Sequence, residues 1–216
     1  MFKFEVWGDF ACFTRPELKV ERVSYDVITP SAARGLIESI FWHPGLRWQI
    51  DKIHVLAPIR FQSIRMNEVG EKISGANVLA EMNGGKKTRF VTGDCIEQRN
   101  SVVLRDVHYV IEAHFEMTDK AAPTDNPAKF IRQTTDRLKN GRCFKRPYFG
   151  CREWDVHFQE WEGEEIPTIP ESRDLGFMLY DMNYSDPEHI TPMYYRPYME
   201  NGTITVPDLN SGEVFR

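Results

Sequence analysis

The fold is decided by residues 140–154, NGRCFKRPYFGCREW, where a helix end, a cationic glycine-rich turn and a strand follow one another. The helix is predicted to begin at Asn126-Pro127, because Asn caps helices and Pro at the first helical position gives up only an unpartnered donor. Gly141 stands where the chain leaves the helix, which predicts a left-handed residue. The helix is predicted to bury one stripe, namely Phe130, Ile131, Thr134 and Leu138.

Positive charge is concentrated in the same segment, although the whole chain has a formal net charge of -5. Residues 129–152 contain many basic residues but only one acidic residue, Asp136. Such a surplus suits a phosphate backbone, but a solvated helix face followed by an ordinary cap explains it equally well. The candidate contacts of this turn are Gly141, Arg142, Lys145 and Arg146, with Tyr148 or Phe149 stacking an unpaired base.

The composition of the chain excludes several classes of protein. With 216 residues, 41% hydrophobic and 27% charged, it is typical of a soluble protein of one domain plus a small appendage. No apolar run approaches the roughly 20 residues that span a bilayer, so no membrane partner is expected. Four cysteines without C-x-x-C spacing indicate reduced thiols in a cytoplasmic protein. Metal-ligand spacing is absent, and we expect neither a metal site nor a cofactor.

The remaining pattern predicts an α+β fold. A strand near residues 2–7 precedes a helix that opens at Thr29-Pro30 and buries Ala33, Ile37, Ile40 and Phe41. One long or bent strand over 48–61 follows, in which Pro58 marks a bulge or an edge. A clear strand over 102–118, the helix after Asn126 and a strand over 148–161 come next. This order, βαββαβ, predicts a ferredoxin-like (RRM-like) domain.

Two further segments flank or interrupt that domain. Residues 66–100 predict a mobile β-hairpin insertion, interpreted as a nucleic-acid thumb carrying Lys86, Lys87 and Arg89, or else as a disordered surface insertion. After residue 161 an acidic, proline-broken connector leads to strands near 177–184, 193–198 and 203–206. We therefore expect a ferredoxin-like domain over 1–161 and a C-terminal β appendage over 162–216.

His114 is the best catalytic candidate. It lies on the predicted polar face of the 102–118 strand, with Glu112 and Glu116 roughly 7 Å away on either side. Such an imidazole can exchange a proton with a ribose 2′-hydroxyl or a leaving 5′-oxygen. A histidine on a solvated strand face without chemistry is the alternative.

Four separated segments resemble one known family. They are residues 141–153 (GRCFKRPYFGCRE), 4–14 (FEVWGDFACFT), 23–40 (VSYDVITPSAARGLIESI) and 113–115 (AHF). The family is the fifth CRISPR-associated (Cas) family, subtype I-C (Dvulg), within the RAMP superfamily. The first segment resembles its glycine-rich loop and last ferredoxin-like strand, and the resemblance runs through most of the chain.

The resemblance implies an endoribonuclease for the CRISPR RNA precursor. Such an enzyme cuts the repeat hairpin through the 2′-hydroxyl without a metal and keeps the 5′ handle of the guide. It acts within the type I-C surveillance complex (Cascade), beside the backbone and large subunits.

The implied active site combines a tyrosine, a lysine and a histidine. The histidine falls on His114, but the other two positions hold Phe41 and Ala113. Candidate helpers are therefore Tyr25, Tyr148 and His43. Arg34 on the first helix is a further candidate RNA contact, or else a helix-surface charge.

Two other functions compete with the ribonuclease. The chain could cap the guide handle as a structural subunit without cutting it. The same basic groove could alternatively bind DNA, or cut it with a divalent ion.

Overall fold

The computed structural model describes residues 1–18, 20–87 and 89–216. In chain order its elements are β1 (Phe2–Ala11), α1 (Pro30–Ile40), β2 (Leu46–Val55), β3 (Phe61–Val69), α2 (Gly75–Met82), a 3-10 turn (Thr92–Cys95), β4 (Ile96–Met117), α3 (Pro127–Lys139), β5 (His157–Glu160), β6 (Arg173–Asp174), β7 (Met178–Asn183), β8 (Thr191–Tyr195), β9 (Tyr198–Glu200) and β10 (Thr203–Thr205). The fold is therefore mixed α/β with a mainly antiparallel sheet. Within the described ranges, no helix has the length and apolar character needed to cross a membrane.

The large sheet is built around β4. Its strand order is β5-β1-β4-β2-β10-β9-β6, with β3 paired to the first half of β4. β1 pairs with β4 from Phe2↔Ala113 to Ala11↔Leu104, and β2 pairs with its second half up to Leu46↔Met117. Alternate residues of β4, such as Ile111 and Ala113, enter the core, so the residues between them point to the opposite face.

The first helix forms as its sequence predicts. The Thr29 side chain accepts a hydrogen bond from the Ala32 amide at 3.1 Å, which caps α1. Ala33, Ile37 and Ile40 are fully buried against the sheet. Phe41 follows the helix and is buried as well, so this part of the prediction is confirmed.

The long strand predicted over 48–61 is wrong in its extent. β2 ends at Val55, and β3 begins only at Phe61. Pro58 lies in the break, where the missing amide donor of proline does no harm. The segment predicted as a mobile hairpin over 66–100 is part of a paired ribbon that starts earlier, at Phe61↔Leu104, and carries α2 near its tip.

The second helix confirms the prediction at both ends. Asn126 caps α3 by accepting from the Lys129 amide at 2.9 Å. Gly141 has a φ of 61°, in the left-handed region. The predicted stripe is wrong at one position, because Ile131 is 48% exposed whereas Phe130 and Leu138 are buried.

The strand predicted over 148–161 is mostly a turn. Only His157–Glu160 forms β5, which pairs with β1. Before it, Tyr148 forms an isolated bridge with Asp155, and Gly150 has a φ of 79°. A positive φ interrupts an extended strand, which the alternation of apolar residues does not reveal.

The C-terminal strands follow two different paths. β7 and β8 form a separate two-stranded ribbon. β10 pairs with β2, and β9 and β6 continue the large sheet beyond it. The division into 1–161 and 162–216 stays a prediction, with strands from both sides of that boundary in the same sheet.

Candidate active site and nucleic-acid interface

The glycine-rich loop, residues 141–150, is fixed by its own backbone. The Phe144 and Lys145 amides both donate to the Ser39 carbonyl of α1 at 2.9 Å. At the other end the Cys12 amide donates to the Phe149 carbonyl at 3.1 Å. The backbone of Gly150 passes so close to Cys12 that a Cβ there would lie 1.9 Å from the Cys12 carbonyl oxygen. The loop is thereby held against α1 and the end of β1.

A groove of about 590 Å³ lies between α1 and this loop; we call it the loop groove. Three of its lining side chains are exposed aromatics, namely Trp42 (54%), Phe144 (62%) and Tyr148 (43%). Lys145 and Arg146 line it too. Aromatic faces beside cations suit unpaired bases with their phosphates.

The structure decides which neighbouring aromatic of the loop is free. Phe149 is fully buried and Tyr148 is exposed, so only Tyr148 can stack a base. Sequence reasoning missed Trp42 and Phe144. Trp42 directly follows the buried Phe41, and an apolar residue beside a helix end gives no sign of which side it will face.

Most of the predicted cations already have carboxylate partners. Arg142 is paired with Asp136, and Arg146 with Asp155 at 3.0 Å. Lys145 forms no ion pair within the described part of the chain, and its ammonium lies 5.7 Å from the Phe144 ring centroid. Exposed ion pairs contribute about 0–1 kcal/mol, so a phosphate can replace either carboxylate.

Arg34 does not belong to the loop groove. Its guanidinium binds the Asp181 carboxylate of β7 with two hydrogen bonds of 2.8 Å, and Glu38 at 2.7 Å. It lines a different pocket, between α1 and β7. Its contacts are therefore those of a structural ion pair that joins α1 to the C-terminal ribbon.

By alternation along β4, the His114 side chain lies on the face opposite to that of its neighbours Ala113 and Phe115, which pack in the core. Its side chain is 42% exposed. Its Nδ1 lies 2.8 Å and 2.9 Å from the two carboxylate oxygens of Asp51 on β2. The pairing of β2 with β4 shifts register between Ile50 and Lys52, and this irregularity gives Asp51 its position beside the imidazole.

The expected partners of His114 are engaged elsewhere. Glu112 binds His54 at 3.1 Å and Lys3 at 3.3 Å. Glu116 binds Arg47 at 3.0 Å. Glu112 and Glu116 stand two residues either side of His114 on β4 as expected, but the carboxylate bound to the imidazole is that of Asp51. No alternation rule finds Asp51, because a bulge places it outside the regular register.

His114 lines a second groove, of about 670 Å³, which we call the histidine groove. Lys3 at the start of β1 lines it, as do Thr135 of α3 and Trp161 after β5. Ile131 also lines it, which accounts for its exposure. The groove thus combines a half-exposed imidazole, a lysine, the carboxylate of Glu160 and apolar walls.

The two grooves have no lining residue in common. The loop groove lies beside α1, whereas the histidine groove is lined by residues of β1, β4 and α3. The basic loop and His114 therefore line different grooves, and their contact with the same RNA strand stays a prediction.

The other proposed helpers do not line the histidine groove. Tyr25 is only 2% exposed, and burial raises the pKa of its hydroxyl. His43 accepts from the Gly45 amide at 3.0 Å, and its ring lies 4.9 Å from that of Phe130. Tyr148 lines the loop groove instead.

The positions at which the resemblance implies a tyrosine and a lysine are buried. Phe41 and Ala113 both belong to the hydrophobic core. Neither can contact a substrate in this structure.

The predicted thumb residues lie on the ribbon formed by β3 and β4. Lys86, Lys87 and Arg89 are exposed between α2 and the 3-10 turn. They line neither groove.

The chain belongs to a CRISPR-associated protein family. The profile of the family described as CRISPR-associated protein (Cas_Cas5), Cas_Cas5d, matches residues 1–207. A relative from Mannheimia succiniciproducens is 47% identical, over 99% of this chain and 98% of its own, and is named CRISPR pre-crRNA endoribonuclease Cas5d. A relative of the same name from Thermus thermophilus is 37% identical, over 99% of this chain and 94% of its own. The resemblance seen in the sequence is thereby confirmed.

Solved structures agree on the fold. A structure described as that of a CRISPR-associated protein superposes with a TM-score of 0.72 at 21% identity, covering 100% of this chain and 96% of the other. The functionally uncharacterized SMU1763c from Streptococcus mutans superposes with a TM-score of 0.69 at 22% identity and the same coverage.

Proposed function

We propose that this chain is an endoribonuclease that cuts the repeat hairpin of pre-crRNA. Support comes from two relatives that match over nearly the whole chain and carry that name. The observation that carries the proposal is the half-exposed His114, whose Nδ1 is 2.8 Å from the Asp51 carboxylate and whose ring borders an open groove.

The chemistry uses the RNA's own nucleophile. His114 takes the proton of the 2′-hydroxyl, the 2′-oxygen bonds to phosphorus, and the bond from phosphorus to the 5′-oxygen breaks. The leaving 5′-oxygen takes a proton from water in the open groove, and the products end in a 2′,3′-cyclic phosphate and a 5′-hydroxyl. This reaction does not require a metal ion. Lys3, in the same groove, supplies positive charge for the phosphorane in place of the lysine that Ala113 cannot provide.

The loop groove holds a second part of the RNA. Trp42, Phe144 and Tyr148 stack unpaired bases of the retained 5′ handle, and Lys145 contacts its phosphates. Lys86, Lys87 and Arg89 hold the hairpin stem from the β3–β4 ribbon. Arg142 and Arg146 exchange their carboxylates for phosphates, and the backbone at Gly141 allows close approach.

The protein then remains in the type I-C surveillance complex, beside its backbone and large subunits. Family membership supports this placement. The βαββαβ order of β1, α1, β2, β4, α3 and β5 supports a ferredoxin-like domain, because the strands lie in the order β5-β1-β4-β2. Residues 162–216 are then an appendage to it.

One observation favours a second function. Phe41 and Ala113 are buried where a tyrosine and a lysine are implied, which fits a subunit that caps the handle without cutting it. Tight binding of the repeat hairpin without any cleavage in EDTA would favour this function. Cleavage of DNA upon addition of a divalent ion would favour the nuclease alternative.

The test is single-turnover cleavage of the cognate repeat RNA by the wild type and by His114→Ala. We expect the rate to fall about 10²- to 10⁴-fold, because a general base is lost. His189→Ala is the matched control, since His189 is exposed on the β7–β8 ribbon, and its rate should stay at the wild-type level. A wild-type rate in His114→Ala would overturn the assignment.

A further inference from the structure

We infer that Asp51 is the positioning residue of the cleavage site: its carboxylate fixes the His114 ring so that Nε2 is the atom that takes the 2′-hydroxyl proton. This inference rests on the proposed ribonuclease function and deepens it. Neither the comparisons nor the sequence patterns assign a role to Asp51.

The geometry determines the protonation of the ring. Both carboxylate oxygens of Asp51 lie within 2.9 Å of Nδ1. An ionised carboxylate only accepts hydrogen bonds, so Nδ1 must carry the hydrogen that it donates. In the neutral imidazole the lone pair is then on Nε2, which has no hydrogen-bond partner among the described residues.

The Asp51 carboxylate forms no other hydrogen bond or ion pair in the described part of the chain. Its backbone carbonyl accepts from the Val206 amide at 2.9 Å, which ties the bulge of β2 to the strand end after β10. The backbone is thus anchored independently of the side chain. A carboxylate that is bound only to a half-exposed imidazole contributes little to the core, and its position suits the orientation of a reacting group.

The Asp51–His114 pair resembles the general arrangement in which a neighbouring carboxylate orients a catalytic base. A carboxylate that binds one ring nitrogen keeps the imidazole in the reactive tautomer and stabilises the imidazolium that forms when the proton is taken. For His114 the imidazolium forms as the 2′-oxygen attacks, and it is the Asp51 charge that balances it. Loss of Asp51 should therefore lower the chemical rate and leave RNA binding nearly unchanged.

Two variants test this inference. Asp51→Asn keeps the shape of the side chain but removes the charge and lets the amide accept or donate, and Asp51→Glu keeps the charge. We expect the single-turnover rate to fall roughly 10²-fold in Asp51→Asn, with partial recovery in Asp51→Glu. The dissociation constant for uncleaved repeat RNA should change less than about twofold, because the carboxylate contacts no phosphate. Glu116→Gln is the matched control, since Glu116 lies on β4, two residues from His114, and binds Arg47 instead.

A spectroscopic readout separates positioning from mere stability. In ¹H–¹⁵N spectra of ring-labelled protein without RNA, the wild-type His114 should show the Nδ1–H tautomer. Asp51→Asn should shift the population toward Nε2–H, and Glu116→Gln should not. The double variant Asp51→Asn/His114→Ala should be no slower than His114→Ala, because Asp51 acts through His114.

The outcomes distinguish the role of Asp51 from the proposed function. If His114→Ala cuts at the wild-type rate, the proposed site itself is wrong. If His114→Ala is slow but Asp51→Asn cuts at the wild-type rate with an unchanged tautomer, only the role of Asp51 is overturned. A slow, well-folded Asp51→Asn with the shifted tautomer is the result that the inference requires.

Discussion

Gly150 is the single residue on which the shape of the glycine-rich loop depends most. Its φ of 79° is in the left-handed region, and an added Cβ would lie 1.9 Å from the Cys12 carbonyl oxygen. Gly150→Ala should therefore lower the free energy of unfolding by about 2–3 kcal/mol, measured by urea denaturation. The affinity for RNA should fall together with the stability, because the displaced loop would no longer line the loop groove.

Gly35 provides the matched control within the same groove region. It lies inside α1, and a Cβ there would meet nothing within 4 Å. Gly35→Ala should raise the free energy of unfolding by about 0.5–1 kcal/mol, because alanine favours a helix interior. Equal effects of the two substitutions would contradict the assigned role of Gly150.

The contacts of the Asp125 carboxyl predict that the protein loses stability in acid. Hydrogen bonds from the Lys129 ammonium at 2.7 Å and from the Ala122 amide lower the pKa of its carboxyl. The folded state therefore releases this proton more readily than the unfolded state, whose ordinary pKa is 3.8. The contribution is complete well above pH 3.8 and is lost as the pH falls through the lower, folded-state value.

The measurement is the melting temperature of the wild type and of Asp125→Asn from about pH 6 downward. The wild type should be more stable at the upper end, and the difference should close in acid. Asp119→Asn, an exposed aspartate of the same connection, should show no such pattern. A difference that stays constant with pH would show that Asp125 contributes by shape and not by charge.

At the scale of the element, the loop groove should bind RNA chiefly through Lys145. This lysine has no ion pair in the described chain, whereas Arg142 and Arg146 must first leave Asp136 and Asp155. Lys145→Ala should flatten the slope of log K against log salt by about 0.7, the value for one single-strand phosphate contact.

Lys120→Ala serves as the control for charge alone, since Lys120 is exposed and lines neither groove. Its slope should match that of the wild type. If Lys145→Ala also keeps the full slope, the loop does not contact phosphate.

The elements that the sequence predicts correctly are those whose ends are marked by nearby residues, such as helix caps and a glycine after the last turn. Thr29 and Asn126 cap their helices by accepting from amides three residues further on, and Gly141 ends α3. The strand predicted over 48–61 is expected to bulge or form an edge at Pro58, but it breaks into two strands there. The strand predicted through Gly150 is wrong, because apolar alternation continues across a positive φ.

The candidate site is predictable only in part. His114 is found from its place on the polar side of β4, but its partner depends on a register shift in β2, which no local pattern encodes. The exposed aromatics of the loop groove are missed for a similar reason. Trp42 and Phe144 are far apart in sequence, and hydrogen bonds between the loop and Ser39 of α1 bring them together.

The molecule as a whole has two grooves that differ in chemistry and share no lining residue. The loop groove offers aromatic faces and an ammonium without an ion pair in the described chain, and the histidine groove offers an oriented imidazole beside Lys3. This separation allows one RNA to be held at its handle and cut at a distance. It also explains how a protein could keep its product after cleavage, since the retained end binds where no bond is broken.

If His114 activates the 2′-hydroxyl of the RNA itself, the chemistry of the product ends must show it. The purified protein is incubated in EDTA with its cognate repeat RNA and with the same RNA carrying a single 2′-deoxyribose at the cut site. We predict a 2′,3′-cyclic phosphate from the first substrate and no cleavage of the second. A 3′-hydroxyl product, or equal cleavage of both substrates, would contradict the account.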